Sequence, residues 1–197
     1  MKKIIGIVAV LLSLALSAGS LAAQTAPPAP ALVLQLDPAQ TGADFDLPDV
    51  LHTVRGSFAL KRGTIQFDPA SGKAGGEVVF AAPSGNTGNS SRDRKMHKDV
   101  LESLHYPEIV FRPDHAQGVL PASGTSTLQV HGMFGIHGAE HEVTIPVEVS
   151  LSGSTWKANA SFPVPYALWG MKNPSVFFLR VGDSVAIKFH AGGSIVR

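Results

Sequence analysis

Between Leu128 and Leu151 the chain alternates so regularly that few architectures can accommodate it. Leu128, Val130, Phe134 and Ile136 share one parity, with Gly132 between them, while Gln129, His131, Met133, Gly135 and His137 share the other. After a break at Gly138-Ala139, Val143, Ile145, Val147, Val149 and Leu151 alternate with Glu142, Thr144, Pro146, Glu148 and Ser150. Strand side chains point to opposite faces at every second residue, so the stretch reads as a β-hairpin with one apolar face. That face needs a cover, and the rest of the chain must supply it.

The cover is more sheet. Leu32, Leu34 and Leu36 alternate up to Pro38, and Thr41 to Leu47 forms a second short strand before Pro48. His52 to Leu60 and Gly63 to Phe67 read as two strands split by a turn at Lys61-Arg62-Gly63, and Glu77 to Ala81 as another. Further strands are expected at Glu108 to Arg112, Gly118 to Leu120, Thr155 to Phe162 and Ser184 to His190. One helix is expected near residues 90–104, N-capped by Ser90 or Ser91, with Met96, Val100 and Leu104 as its apolar stripe. With so little helix to cover the apolar faces, closing the sheet on itself meets both the core and the edge requirement. The expected fold is therefore all-β: an antiparallel barrel of about eight or more strands with one amphipathic helix.

The termini bound where the protein works. Lys2 and Lys3 precede an apolar run from Ile4 to Leu16 and small residues through Ala22. This is the pattern of a cleaved secretory leader, expected over residues 1–22, with a Pro/Ala-rich spacer at 23–31 and the barrel at 32–197. The apolar run is shorter than the roughly 20 residues that span a bilayer, with an uncleaved membrane anchor as the alternative reading. A periplasmic or secreted location follows as the expectation. Without the leader, 14 basic side chains face 15 acidic ones, a near-neutral balance that offers no electrostatic footprint for nucleic acid. The chain has no cysteine, which removes disulfides and thiolate catalysis.

Four further stretches form a set: Val54-Arg55-Gly56-Ser57-Phe58 with Gly63-Thr64-Ile65, Arg92-Asp93 opening the helix, Tyr106-Pro107-Glu108-Ile109-Val110-Phe111 leaving it, and Val130-His131-Gly132 through Ile136-His137-Gly138 at the hairpin. In order and spacing they resemble the YceI-like, polyisoprenoid-binding family, and the similarity runs from about Leu32 to the C-terminus. The resemblance implies an exported lipocalin-like barrel that holds a long isoprenoid or other amphipathic lipid and carries no catalytic machinery. The chain departs from the family where Arg94-Lys95-Met96-His97-Lys98 follows Arg92-Asp93.

The chemistry-bearing residues point the same way. His131, His137 and His141 fall within eleven positions, but parity turns the first two outward and the third toward an inner rim. Ligands to one zinc ion must converge to about 2 Å from it, so no metal site is expected. No G-x-S-x-G occurs, and neither a cofactor nor catalysis is expected.

The inward faces are the candidate ligand-binding surface: Val54, Phe58, Val78, Phe80, Phe111, Leu128, Val130, Phe134 and Ile136, then Val143, Ile145, Val147, Val149, Trp156, Ala158, Ala160, Phe162 and Ile187. Ile109, Val185 and Phe189 share that orientation. Gly132, Ala158 and Ala160 are small enough to leave a lumen, although a barrel of this size can equally be filled by side chains. Arg92, Arg94, Met96 and Trp169 are candidates for the rim or a lipid head group. The partners expected are a long-chain isoprenoid, quinone or fatty-acid-like lipid, with transient membrane contact and a homodimer both compatible. A filled-core interaction barrel is the alternative, and a metal- or carboxylate-dependent enzyme the third reading.

Overall fold

The computed structural model describes residues 31–120, 123–175 and 180–196. The leader expected at 1–22 and all of the spacer except Ala31 lie outside these residues. The long hairpin forms as its alternation requires: β6 (Gly124–Ile136) and β7 (Ala139–Ser152) pair along their whole length, from Gly124–Leu151 to Ile136–Ala139. The turn is His137-Gly138, one residue earlier than the break in alternation suggested, with both residues at positive φ. That conformation matches the right-handed twist of the flanking strands.

Seven further strands complete the sheet: β1 (Leu32–Leu36), β2 (Gly42–Pro48), β3 (Thr53–Phe67), β4 (Ala74–Ala81), β5 (Glu108–Gln117), β8 (Thr155–Val164) and β9 (Val185–Val196). All pairings are antiparallel, in the order β3-β2-β9-β8-β7-β6-β5-β4, and β4 pairs back onto β3 to close the ring. Strands β1 and β2 share one position in the wall. Between β3 and β9, β2 pairs with Thr53–Ala59 and Ala186–His190, whereas β1 pairs with Thr64–Phe67 and Gly193–Val196. The result is an eight-position antiparallel barrel.

Two strands are longer than their sequence suggests because bulges preserve the inward face. Lys61-Arg62-Gly63 is not a turn; β3 runs through it, with the register shifting between Leu60 and Arg62. Val54 and Phe58 therefore point inward on even positions and Ile65 and Phe67 on odd ones, since one extra residue inverts parity. Strand β5 likewise passes through Pro113 with a shift before His115, so Phe111 and Ala116 both face in. Proline is tolerated in a sheet at such an irregularity. The segment Gly118–Leu120 is not a strand, and β9 continues six residues beyond His190.

The helix also differs from expectation. α1 (Ser90–Lys95) is capped by Asn89, whose side chain accepts from the Ser91 and Arg92 amides, and continues as a π-helical turn over Met96–Val100. The Leu101 amide donates to Met96 O, five residues back. This wider turn breaks the expected stripe: Leu101 is buried, while Leu104 is 93% exposed beyond the helix end. Among the described residues no helix is long and apolar enough to cross a membrane.

Candidate functional site

The barrel encloses a cavity of about 730 Å³, within the range typical of small-molecule sites. Its wall runs along β3 from Val54 to Phe67. At about 3.3 Å per residue and a tilt of about 40°, this gives roughly 30 Å of depth. The lumen is thus a deep apolar tunnel, not a filled core.

Most residues expected to face a ligand stand on this wall: Val54, Phe58, Val78, Phe80, Phe111, Leu128, Val130, Phe134, Ile136, Ile145, Val147, Val149, Trp156, Ala158, Ala160, Phe162 and Ile187. Ile109, Val185 and Phe189 join them. Val143 does not, despite its inward parity. Strand β7 outruns β8, whose last partner on it is Ala160 opposite Val147. Beyond that point the indole of Trp169 packs on Phe134, with ring centroids 5.8 Å apart, and stacks on His141. Trp169 therefore closes a corner of the barrel instead of lining its lumen. Gly132 adds no space to the lumen either, because the β5 main chain at Arg112 and Pro113 occupies the position of its missing side chain.

One end of the tunnel is open. The wall residues that are exposed, Leu51, His52 and Ser91, all lie there, beside Asp49, Thr87, Arg92, Lys95, Pro174 and Val181. Every charged wall residue is at this end. The loop Asp49–His52 is folded by Asp49, whose carboxylate accepts the Leu51 and His52 amides at 2.7 Å each. Those amides hold the Asp49 carboxyl below its usual pKa, the His52 bond contributing most. The loop is sewn to the opposite rim by Val50 N donating to Arg180 O at 3.2 Å.

The helix is fixed across the mouth in the same way. Arg92 donates to Thr87 Oγ1 (2.8 Å) and Thr87 O (3.0 Å), and the Thr87 amide donates to Asp93 Oδ1 at 2.9 Å. Lys95 Nζ reaches Pro174 O at 2.8 Å. Met96 adds an apolar wall residue, while Arg94 is exposed on α1 and stands off the wall. On the far side of the mouth the Tyr166 hydroxyl donates to Gly182 O at 2.6 Å, and burial pushes that phenol up to about 12.

Sequence reading missed three groups of wall residues. Leu34 and Leu36 on β1 and Phe45 and Leu47 on β2 belong to it, as their alternation could have shown. Ile65, Phe67 and Ala116 were hidden by the two parity inversions. The polar rim at Asp49, His52, Ser91 and Lys95 is assembled from separate connections and leaves no local signature.

The histidines are spread as parity predicts for His131, which lies on the outer face between Asp114 and Glu142. His137 sits in the hairpin turn against Tyr106, and His141 lies under Trp169. No cluster of three potential metal ligands occurs among the described residues.

Comparison with known proteins places this geometry. Residues 34–192 match the YceI-like domain. The fold resembles that of BcnA from Burkholderia cenocepacia (22% identity, TM-score 0.66), covering 81% of this chain and 99% of that one. It also resembles a polyisoprenoid binding domain from Saccharophagus degradans implicated in plant cell wall breakdown (15% identity, TM-score 0.61, 82% and 98% covered). A YceI protein from Campylobacter jejuni superimposes with a TM-score of 0.53 at 17% identity, covering 72% and 85%. No curated protein sequence is similar enough to match. With its domain signature spanning nearly all of the barrel, the chain belongs to the YceI-like domain family.

Proposed function

We propose that this protein binds one long apolar or amphipathic lipid, of the polyisoprenoid, quinone or fatty-acid-like class, and carries it through an aqueous compartment. The observation that supports this most is the tunnel itself: about 730 Å³ walled by aliphatic and aromatic side chains, with its charged wall residues confined to the open end. A lipid tail would gain about 0.8 kcal/mol for each methylene taken from water. The depth of the lumen suits a chain more than a compact molecule. A ligand of this kind needs no polar anchor inside, only a head compatible with Asp49, His52, Arg92 and Lys95 at the mouth.

The polyisoprenoid binding named for the Saccharophagus relative makes an isoprenoid the first candidate. Among the described residues the wall below the mouth is almost wholly aliphatic and aromatic, a surface suited to holding a lipid tail. The leader-like N-terminus adds export to the reading, with the periplasm as the compartment in which a lipid would need a carrier.

Native mass spectrometry of protein purified from its own host is the test. The expected result is a mass increment of one lipid, restored after delipidation by a long-chain polyprenol or quinone. A clean apo mass together with no uptake of either lipid would overturn the proposal. The same spectrum reports export: a mature N-terminus at Ala23 or Gln24 is expected, and an intact Met1 on protein recovered from the cell would overturn that part.

A further inference from the structure

Topology sorts the connections of the barrel into two ends. The β2–β3, β4–β5, β6–β7 and β8–β9 connections lie at the mouth; the β3–β4, β5–β6 and β7–β8 connections lie at the other end. Large hydrophobic side chains left exposed among the described residues are unevenly divided between them. Val50 (61%) and Leu51 (74%) are on the β2–β3 connection, Leu104 (93%) on β4–β5, and Leu168 (82%) on β8–β9. Only Val119 and Val196 are exposed at the other end. A single exposed leucine needs no explanation. Three separate loops, each raising an aliphatic tip around the opening of an apolar tunnel, make a pattern that does.

The loops are held in place, so the tips are presented on a fixed ring. Asp49 folds the first, Lys95 bonds the α1 side to Pro174, and Tyr166 anchors the third to Gly182. Charge accompanies them. Arg94, Lys98, Lys172 and Arg180 are exposed at this end, and none forms an ion pair among the described residues. Of the carboxylates at this end, Asp49 accepts loop amides, Asp93 accepts from Thr87, Asp183 accepts from Asn173 and Glu102 faces His105 and His137, with Asp99 beside them on the β4–β5 connection.

We infer that the mouth is a membrane-docking surface, seated on an anionic phospholipid bilayer with the tips of Val50, Leu51, Leu104 and Leu168 in the acyl-chain boundary. Exposed guanidinium and ammonium groups around the ring reach lipid phosphates, and the tunnel opens onto the bilayer. A lipid can then pass between bilayer and lumen without exposing its tail to water. This rests on the lipid-binding reading and adds where the cargo is exchanged. A few aliphatic tips and four dispersed cations make a weak, reversible anchor that depends on salt.

The experiment is flotation of the full mature chain with vesicles of phosphatidylcholine alone, or of phosphatidylcholine with phosphatidylglycerol. Uptake of cis-parinaric acid reports the lumen in parallel. Wild type is expected to float with the anionic vesicles at low salt and less as salt rises, and to float only weakly with the neutral ones at any salt. The V50D/L104D/L168D variant, which leaves the wall untouched, is expected to lose at least about tenfold in partitioning while taking up parinaric acid normally. V119D, at the other end, is expected to behave as wild type. Flotation undiminished in the triple variant, or lost equally in V119D, would overturn the docking inference. Wild type that takes up parinaric acid yet ignores both vesicles would also overturn it, leaving the ring to a protein partner. Wild type that takes up no parinaric acid would sink the lipid-binding reading itself.

Discussion

The Trp169 indole lies flat on the His141 imidazole, with ring centroids 3.9 Å apart and planes 5° from parallel. It covers the part of β7 that β8 does not reach, and its other contact, Phe134, is a wall residue. Beneath it, His141 Nε2 is enclosed without a hydrogen-bond partner. Trp169→Ala is expected to cost about 2 kcal/mol in urea unfolding, mostly lost stacking and burial. His141→Phe keeps the stack and removes the orphaned nitrogen, and is expected to stabilise by about 1 kcal/mol. A destabilised His141→Phe variant would show that the nitrogen is satisfied after all.

On the outer face, His131 spans two strands by pairing with Asp114 through Nδ1 (2.7 Å) and Glu142 through Nε2 (2.9 Å). Both ring nitrogens can donate only in the imidazolium form. The Asp114 bond, and then the Glu142 bond, raise the His131 pKa above its ordinary value of 6.5. A raised folded-state pKa means stabilisation fully present below pH 6.5 and lost as pH climbs through the folded value. A plot of unfolding midpoint against pH is expected to fall across that window in wild type and to be flatter there in His131→Asn. The ring is exposed, so the effect should shrink in high salt. Equal slopes for the two proteins would remove His131 as the cause.

These two histidines also show what the sequence could and could not convey. Parity alone put His131 outside and His141 inside, because one face of the hairpin had to be apolar for the barrel to close. Parity could not reveal that β7 outruns β8, so Val143 and Trp169 were expected at the lumen and the rim. A strand's length relative to its neighbour depends on partners far away in the chain. Bulges hid Ile65, Phe67 and Ala116 for a related reason: the extra residue is recognisable only when the opposing strand is known. Leu104 was misplaced because a π-turn is a small redistribution of hydrogen bonds with large consequences for phase. The apolar wall was legible, being a periodic property; the mouth was not, being built from four connections.

Gly138 offers a test of how tightly the hairpin fixes the barrel's upper edge. Its φ is +76°, and a Cβ there would run into the Tyr106 ring, which itself packs on His137 with centroids 4.7 Å apart. Gly138→Ala therefore imposes both left-handed backbone strain and a steric displacement of Tyr106. The expected cost is about 1–3 kcal/mol by denaturant titration, with m unchanged. Gly138→Asn, which tolerates this conformation better, should fall between alanine and wild type. Alanine at no cost would mean the turn relaxes to another type.

The lumen itself is tested by filling it. Ala160 lies on β8 opposite Val147 and Phe189, with all three on the wall about midway along the tunnel. Ala160→Trp places an indole across the bore without disturbing the strand pairing, whose hydrogen bonds are all main-chain. Overpacking is expected to cost about 1–3 kcal/mol of stability, leaving a folded barrel with an unchanged far-ultraviolet spectrum. A long polyprenol should lose at least about tenfold in affinity, since two methylene-sized groups denied burial already forfeit about 1.6 kcal/mol. A short-chain analogue that occupies only the mouth half should bind nearly as before. Chain length thus becomes the readout: an equal loss for long and short ligands would point to general unfolding of the site, and no loss for either would place the lipid elsewhere on the protein.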